Sequence, residues 1–341
     1  MTKRNRRLLG GALLVIGLAG AAAYVGYRKL MGPVARFTEE SRVLLVPTGA
    51  DLQTVVDSLR KIDALGDERV FRTLAKRGTV RPGRYRVKRG TSTRALVRML
   101  HAGEQEPVRI TFANIDHLPE LAGRLGRALE PDSGAFLKTF LEPDQQRAVG
   151  LADATMISLF LPNTYELWWT TTPEQFIARM RKEHDAFWNE SRRKQLAALK
   201  LTTAEASTLA SIVQAETVKM ADAPTIAGVY LNRLRIGMPL QADPTLKFAL
   251  GIGEVQRLLN RDKDVDSPYN TYRNSGLPPG PINMPEPRFI DAVLSAPKHD
   301  YLYFCARADL SGYSDFARTY EQHLVNARRY QKALNARKIY R

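Results

Sequence analysis

A glutamate that closes an apolar helical run is the feature of this sequence most suggestive of chemistry. In "LTTAEASTLASIVQAET" (201–217), Leu209, Ile212 and Val213 recur at the spacing of a buried helical face, and the next position on that face is Glu216. Gln214 sits about 200° around the helix from Glu216 and so points away from the stripe. Apolar surroundings disfavour the charged form of a carboxyl group and raise its pKa. A carboxylic acid still protonated near neutral pH is what general-acid catalysis requires. A glutamate in an apolar pocket does this work on a glycosidic oxygen in lysozyme. The same spacing fits a second reading, in which Glu216 reaches solvent at the edge of the stripe or pairs with Arg233 or Arg235. Spacing alone leaves both open.

The elements around this run can be read in turn. Thr202 and Glu205 form a capping box that starts the helix. Asp222 and Pro224 begin another, which "TIAGVYLNRLRIG" carries to a stop at Gly237. The stretch 267–287, "SPYNTYRNSGLPPGPINMPEP", holds six prolines in 21 residues with Tyr269, Asn270 and Tyr272 embedded, and reads as a shaped loop lining something. "LPNTYELWW" (161–169) reads as core or as a wall of flat rings suited to sugars. Residues 117–200 are mostly helical, with Pro173 at the first position of one helix. A strand at "YLYFCA" would carry Cys305 as a small buried hydrophobe, and a basic helix (318–338) ends the chain.

Further upstream, "RVLLV" (42–46) and "GRYRV" (83–87) are strand candidates, with two amphipathic helices between them and "TSTRALVRMLHAG" as a helix after them. This strand–helix–helix–strand order resembles a small LysM-like module.

At the N-terminus, Lys3, Arg4, Arg6 and Arg7 precede twenty uncharged residues, 8–27. As a helix these would span about 30 Å, the thickness of a bilayer's hydrocarbon core. The basic end should remain cytoplasmic, which places the bulk of the chain on the periplasmic or extracytoplasmic side. A cleaved signal peptide is the competing expectation, since "AGAAA" offers small residues; the length favours a retained anchor.

The net charge of +16 includes eleven Lys and Arg between Arg69 and Arg98 with no acidic residue. Export argues against nucleic acid as the partner and for anionic lipid or an acidic wall polymer. One cysteine excludes an internal disulfide framework. The histidines 101, 117, 184, 299 and 323 have no metal-ligand spacing, and no phosphate-cradling glycine motif is present, so neither metal nor cofactor is expected.

Taken together, "LASIVQAET", "AGVYLNRLRIGMPLQADPT", "SPYNTYRNSGLPPGPINMP", "HDYLYFCA" and "LPNTYE" make residues 40–335 resemble the endolytic murein transglycosylases of the MltG/YceG family. The resemblance implies an α+β chain: a cytoplasmic tail (1–7), a transmembrane helix (8–27), a linker (28–40), a LysM-like subdomain (41–105) and a mixed α/β catalytic domain (106–341). It implies Glu216 as the catalytic acid and a glycan cleft lined by Asn232, Gln241, Asp243, Tyr269, Asn270 and Tyr272. The expected substrate is the glycan strand of nascent peptidoglycan, cut at the MurNAc-β-1,4-GlcNAc bond to leave 1,6-anhydro ends, beside peptidoglycan synthases of the elongation or division machinery. Two rivals stand beside this reading: a hydrolytic muramidase pairing Glu216 with Asp243, and a wall-binding scaffold that cuts nothing.

Overall fold

The structure, a computed structural model, describes residues 3–35, 37–113, 115–252 and 258–337, with side chains from residue 10 onward. The chain divides into two compact units: residues 1–110 with 128–131 and 166–172, and residues 111–127, 132–165 and 173–341.

The first unit opens with α1 (Lys3–Met31), whose segment Gly10–Met31 is long and apolar enough to cross a membrane and is not buried by the rest of the protein. Its C-terminal end is tied down. Lys29 forms an ion pair with Asp67 at 2.6 Å, and Thr93 donates its hydroxyl to the Lys29 carbonyl. β1 (Ser41–Val46) then leads to α2 (Leu52–Lys61) and α3 (Glu68–Ala75), and β2 (Gly83–Lys88) to α4 (Thr93–Ala102).

Side chains of Asp51, Asp67 and Ser92 cap the three helices, each accepting from the amide three residues on. Gly103, at φ +70°, ends α4 in the left-handed region that suits glycine. β1 and β2 pair antiparallel, Ser41 opposite Lys88 and Val46 opposite Gly83. Alternation along β2 sends Tyr85 and Val87 into a core with Leu44, Val56, Leu59, Phe71 and Leu96. Arg84 and Arg86, on the other face, share Glu106. Of the basic run, Arg72 pairs with Glu68, whereas Arg94 and Arg98 are exposed on one side of α4.

The remaining elements include β3 (Val108–Phe112), α5 (Leu118–Ala128), α6 (Ser133–Leu141), α7 (Pro143–Val149), a 3-10 helix (Asp153–Leu159), β4 (Asn163–Leu167), α8 (Pro173–Phe187), α9 (Glu190–Leu199), α10 (Thr203–Glu216), α11 (Ala223–Arg235), α12 (Asp243–Leu250), α13 (Pro287–Leu294), β5 (Tyr303–Ala306), β6 (Ser314–Ala317) and α14 (Tyr320–Ala336). β3 pairs with β4, and β5 with β6. Tyr165 of β4 is buried and donates its hydroxyl to the Leu161 carbonyl, whereas Trp168, beyond the strand, is half exposed.

Helix α10 is the centre of the second unit. Every residue from Ala206 to Val213 is buried, Ser207, Thr208 and Ser211 included. The apolar stripe expected from spacing is therefore wider than a stripe: α11, α12, α13 and the 3-10 helix enclose α10 on all sides. Two of its hydroxyls are accommodated because they bond backbone carbonyls. Thr208 donates to Ala204 at 2.8 Å and Ser211 to Thr208 at 2.7 Å. Cys305 departs from expectation: it is partly exposed, because the two-stranded β5–β6 sheet leaves it incompletely covered.

Candidate active site

Glu216 is the last residue of α10. Thr217 is extended (φ −140°, ψ 139°), and its hydroxyl accepts from the Lys219 amide. A carboxylate at a helix C-terminus faces the negative end of the backbone dipole, which favours its neutral form. The Tyr230 hydroxyl of α11 donates to Glu216 Oε1 at 2.8 Å. Tyr230 is only 1% exposed, and the Phe304 ring packs edge-on against it at 5.9 Å.

Burial pushes the Glu216 carboxyl up to about 7, and the nearby Asp243 charge adds to that rise; the Tyr230 hydrogen bond, Arg233 and Lys247 oppose it. Arg233 does not pair with Glu216. It is 7% exposed and donates to the carbonyls of Leu302 at 2.7 Å and Leu240 at 2.6 Å. Its burial lowers its own pKa. Arg235 donates to Asn232 Oδ1, at 3.4 Å. The ion-paired reading of Glu216 thus finds no partner in either arginine.

Asp243 opens α12, and its Oδ1 accepts from the Tyr272 hydroxyl at 2.5 Å. Burial and then Asp243 raise the Tyr272 pKa, so the phenol keeps its proton. The 267–287 loop is built around buried Asn270, whose Nδ2 donates to the carbonyls of Lys263 and Val265 and whose Oδ1 accepts from the Tyr272 amide. Thr271 next to it joins the loop to the start of α12. Its hydroxyl accepts from the Ala242 amide and its carbonyl from the Gln241 amide, each at 3.0 Å. Gln241 is exposed and held at φ +50°, a conformation costly for a residue with a Cβ.

The loop is also fastened to α10. The Ile282 amide donates to Ser211 Oγ at 3.0 Å, Asn283 Nδ2 to the Ser211 carbonyl at 3.1 Å, and the Glu286 amide to Gln214 Oε1 at 2.7 Å. Gln214 is thus a loop anchor. A cavity of about 310 Å³ adjoins the end of α10, lined by Ala215, Pro244, Lys247, Phe248 and Asn283 among others. A neighbouring one of about 240 Å³ is bordered by His117, Leu137, Phe248 and Tyr269. In it the Phe248 ring lies 4.7 Å from that of Tyr269 and 5.0 Å from that of His117.

Of the residues singled out from sequence, Asp243 and Tyr272 are brought together in one hydrogen bond, and Asp243 acts on Glu216. Gln241 and Asn270 belong to the same junction of loop and helix, and Tyr269 borders the aromatic cavity. Asn232 stands apart. Its Nδ2 donates to the carbonyls of His299 and Tyr301, and it borders a different cavity with Lys200, Leu231 and Lys298. Sequence reading passed over Tyr230, which in "AGVYLNRL" looks like any core aromatic; a tyrosine in place of phenylalanine at a fully buried position was the available signal, since its hydroxyl needs a partner. Among the described residues, no group of three or more His, Cys, Asp or Glu is placed to hold a metal ion.

A central helix ends in a glutamic acid whose pKa is raised, with a proline-rich loop fastened to the same helix, and this arrangement occurs in a chain that matches a known family. The chain belongs to the YceG-like family, which matches residues 44–329. It is 27% identical to the endolytic murein transglycosylase of Bacillus subtilis, over 94% of this chain and 92% of that one. It is 28% identical to the protein of the same name from Streptococcus pneumoniae strain D39, over 86% of this chain and 60% of that longer one. The crystal structure of a yceG-like protein from Listeria monocytogenes is 27% identical and superposes with a TM-score of 0.57, over 84% of this chain and 98% of that one.

Proposed function

We propose that this protein is a membrane-anchored endolytic lytic transglycosylase of peptidoglycan, with Glu216 as its one acid–base group. The observation that carries the reading is the Glu216 carboxyl, pushed up to about 7 at the end of a buried helix, beside a second carboxylate engaged by Tyr272. Relatives in two bacteria bear the name of this activity.

Protonated Glu216 gives its proton to the glycosidic oxygen as the bond to C1 of N-acetylmuramic acid breaks through an oxocarbenium-like state. The resulting carboxylate then takes the proton of the muramoyl 6-hydroxyl as that oxygen bonds to C1 and closes the 1,6-anhydro ring. One carboxyl group serves both steps, and no water is consumed. A hydrolytic glycosidase usually needs two carboxyl groups, about 5–9.5 Å apart. Gln241, Asp243, Tyr269 and Tyr272 line the glycan cleft on this reading, while Asn270 shapes the loop that carries two of them and Asn232 supports α11.

The first unit serves as a LysM-like wall contact, with Arg94 and Arg98 available to acidic polymer. α1 holds the enzyme in the cytoplasmic membrane with its bulk on the far side, near peptidoglycan synthases. Alkaline carbonate should fail to extract the full chain and should release a variant lacking residues 1–31; extraction of both would remove the anchor from the proposal.

The test of activity is digestion of purified peptidoglycan followed by mass analysis. Products one water lighter than reducing-end fragments, and none from Glu216→Gln, are expected. Reducing ends would make the protein a muramidase, and strands that never shorten would make it a scaffold.

A further inference from the structure

The two oxygens of Glu216 are not equivalent. Oε1 accepts the Tyr230 hydrogen bond, whereas Oε2 has no partner among the described residues and is not one of the sealed, unsatisfied polar atoms. Tyr230 itself is enclosed, with Phe304 against its ring edge, so its phenol faces Glu216 and does not reach a bound strand. Only fourteen residues separate the pair, and α10 and α11 pack directly, so the contact is set by the helical scaffold and not by a mobile loop. We infer that Tyr230 is a positioning residue for the reaction proposed above: by holding Oε1 it leaves Oε2 as the oxygen that delivers the proton and later recovers one.

Two consequences follow from the chemistry of the bond. A carboxyl group free to rotate about its Cγ–Cδ bond presents either oxygen, and fixing one removes that ambiguity. A phenol that donates also stabilises the carboxylate formed when the proton departs, and so makes Glu216 a stronger acid than burial alone would allow. The other ionisable groups acting on Glu216 are Arg233 of α11, and Asp243 and Lys247 of α12; Tyr272 of the loop responds to it in turn. From α13, Arg288 is paired with Glu286 and Asp291 with Arg192, and Asp153 of the 3-10 helix acts on Tyr269.

The test is Tyr230→Phe in the full chain, with cleavage followed across pH and stability across pH read without substrate. Cleavage should slow about tenfold at neutral pH. The alkaline limb of the rate profile should move upward, because loss of the donor raises the Glu216 pKa and the acid must be protonated. The pH range over which Glu216 lowers stability should extend upward by the same amount. 3-Fluorotyrosine at position 230, a stronger donor of nearly unchanged size, should move both features the other way, and it serves also if the Phe variant does not fold. Profiles and stability ranges that superpose on the wild type would overturn the inference. It fails separately from the transglycosylase reading: reducing-end products with a shifted limb would sink that reading alone, and anhydro products with an unmoved limb would sink this one.

Discussion

Tyr272 donates its hydroxyl to Asp243 Oδ1 across 2.5 Å, so one oxygen of the second carboxylate near Glu216 is held by a phenol. A base that activates water needs a free oxygen lone pair aimed at that water. Asp243 is arranged to orient Tyr272 and to repel charge on Glu216. Asp243→Asn should therefore keep cleavage within about tenfold of wild type at mildly acidic pH and still leave anhydro ends. Loss of the 10²–10⁴-fold expected for removal of a general base would favour the hydrolase.

The pH dependence of cleavage follows from the same arrangement. With the Glu216 carboxyl at about 7, the protonated fraction, and with it the rate, should fall about tenfold per unit at higher pH. Asp243→Asn removes a negative charge that raises this value, so its alkaline limb should lie at lower pH than the wild type's. A limb unmoved in that variant would mean that Asp243 does not act on the acid.

Stability carries an imprint of the same group. Glu216 titrates near 4.5 in the unfolded chain and near 7 in the folded one, so between those values the folded state binds more proton. Stability from this group is fully present below pH 4.5 and is lost as pH rises toward 7, with a slope of up to roughly 1.4 kcal/mol per pH unit. Urea unfolding of Glu216→Gln should lack this slope. Equal pH dependence in the two proteins would mean a solvated carboxyl.

Gln241 offers a test of the cleft lining that separates fold from function. Its φ of +50° suits glycine, so Gln241→Gly should leave stability unchanged or raise it by up to about 1 kcal/mol. Cleavage weakened in that more stable protein would assign the exposed amide to glycan. Full activity would leave Gln241 as a turn residue only.

Much of the framework was readable from local chemistry. The capping box of Thr202 and Glu205 marked the start of α10, and "GRYRV" marked β2. Buried hydroxyls were harder. Ser207, Thr208 and Ser211 look like the polar side of a surface helix until α11, α12 and α13 are seen around them, and the bonds of Thr208 and Ser211 to backbone carbonyls are invisible in periodicity. The candidate site was legible from spacing only as far as one carboxyl group. Spacing singled out Glu216, but the partner that orients it lies on another helix, and tertiary pairing of Tyr230 with Glu216 leaves no trace in either segment. Asn270 likewise reads as a ligand-facing amide in sequence and lies fully buried as the peg of its own loop.

The fastening of the 282–286 segment to Ser211 and Gln214 sets how this region responds to heat. The segment has no regular secondary structure, yet its amides at Ile282 and Glu286 donate to side chains of the innermost helix. Deuterium should enter those two positions at the slow pace of α10 and not at the pace of a surface turn. Wall and acid then come apart in a single opening event, leaving no partly melted form that keeps a working Glu216 beside a collapsed groove.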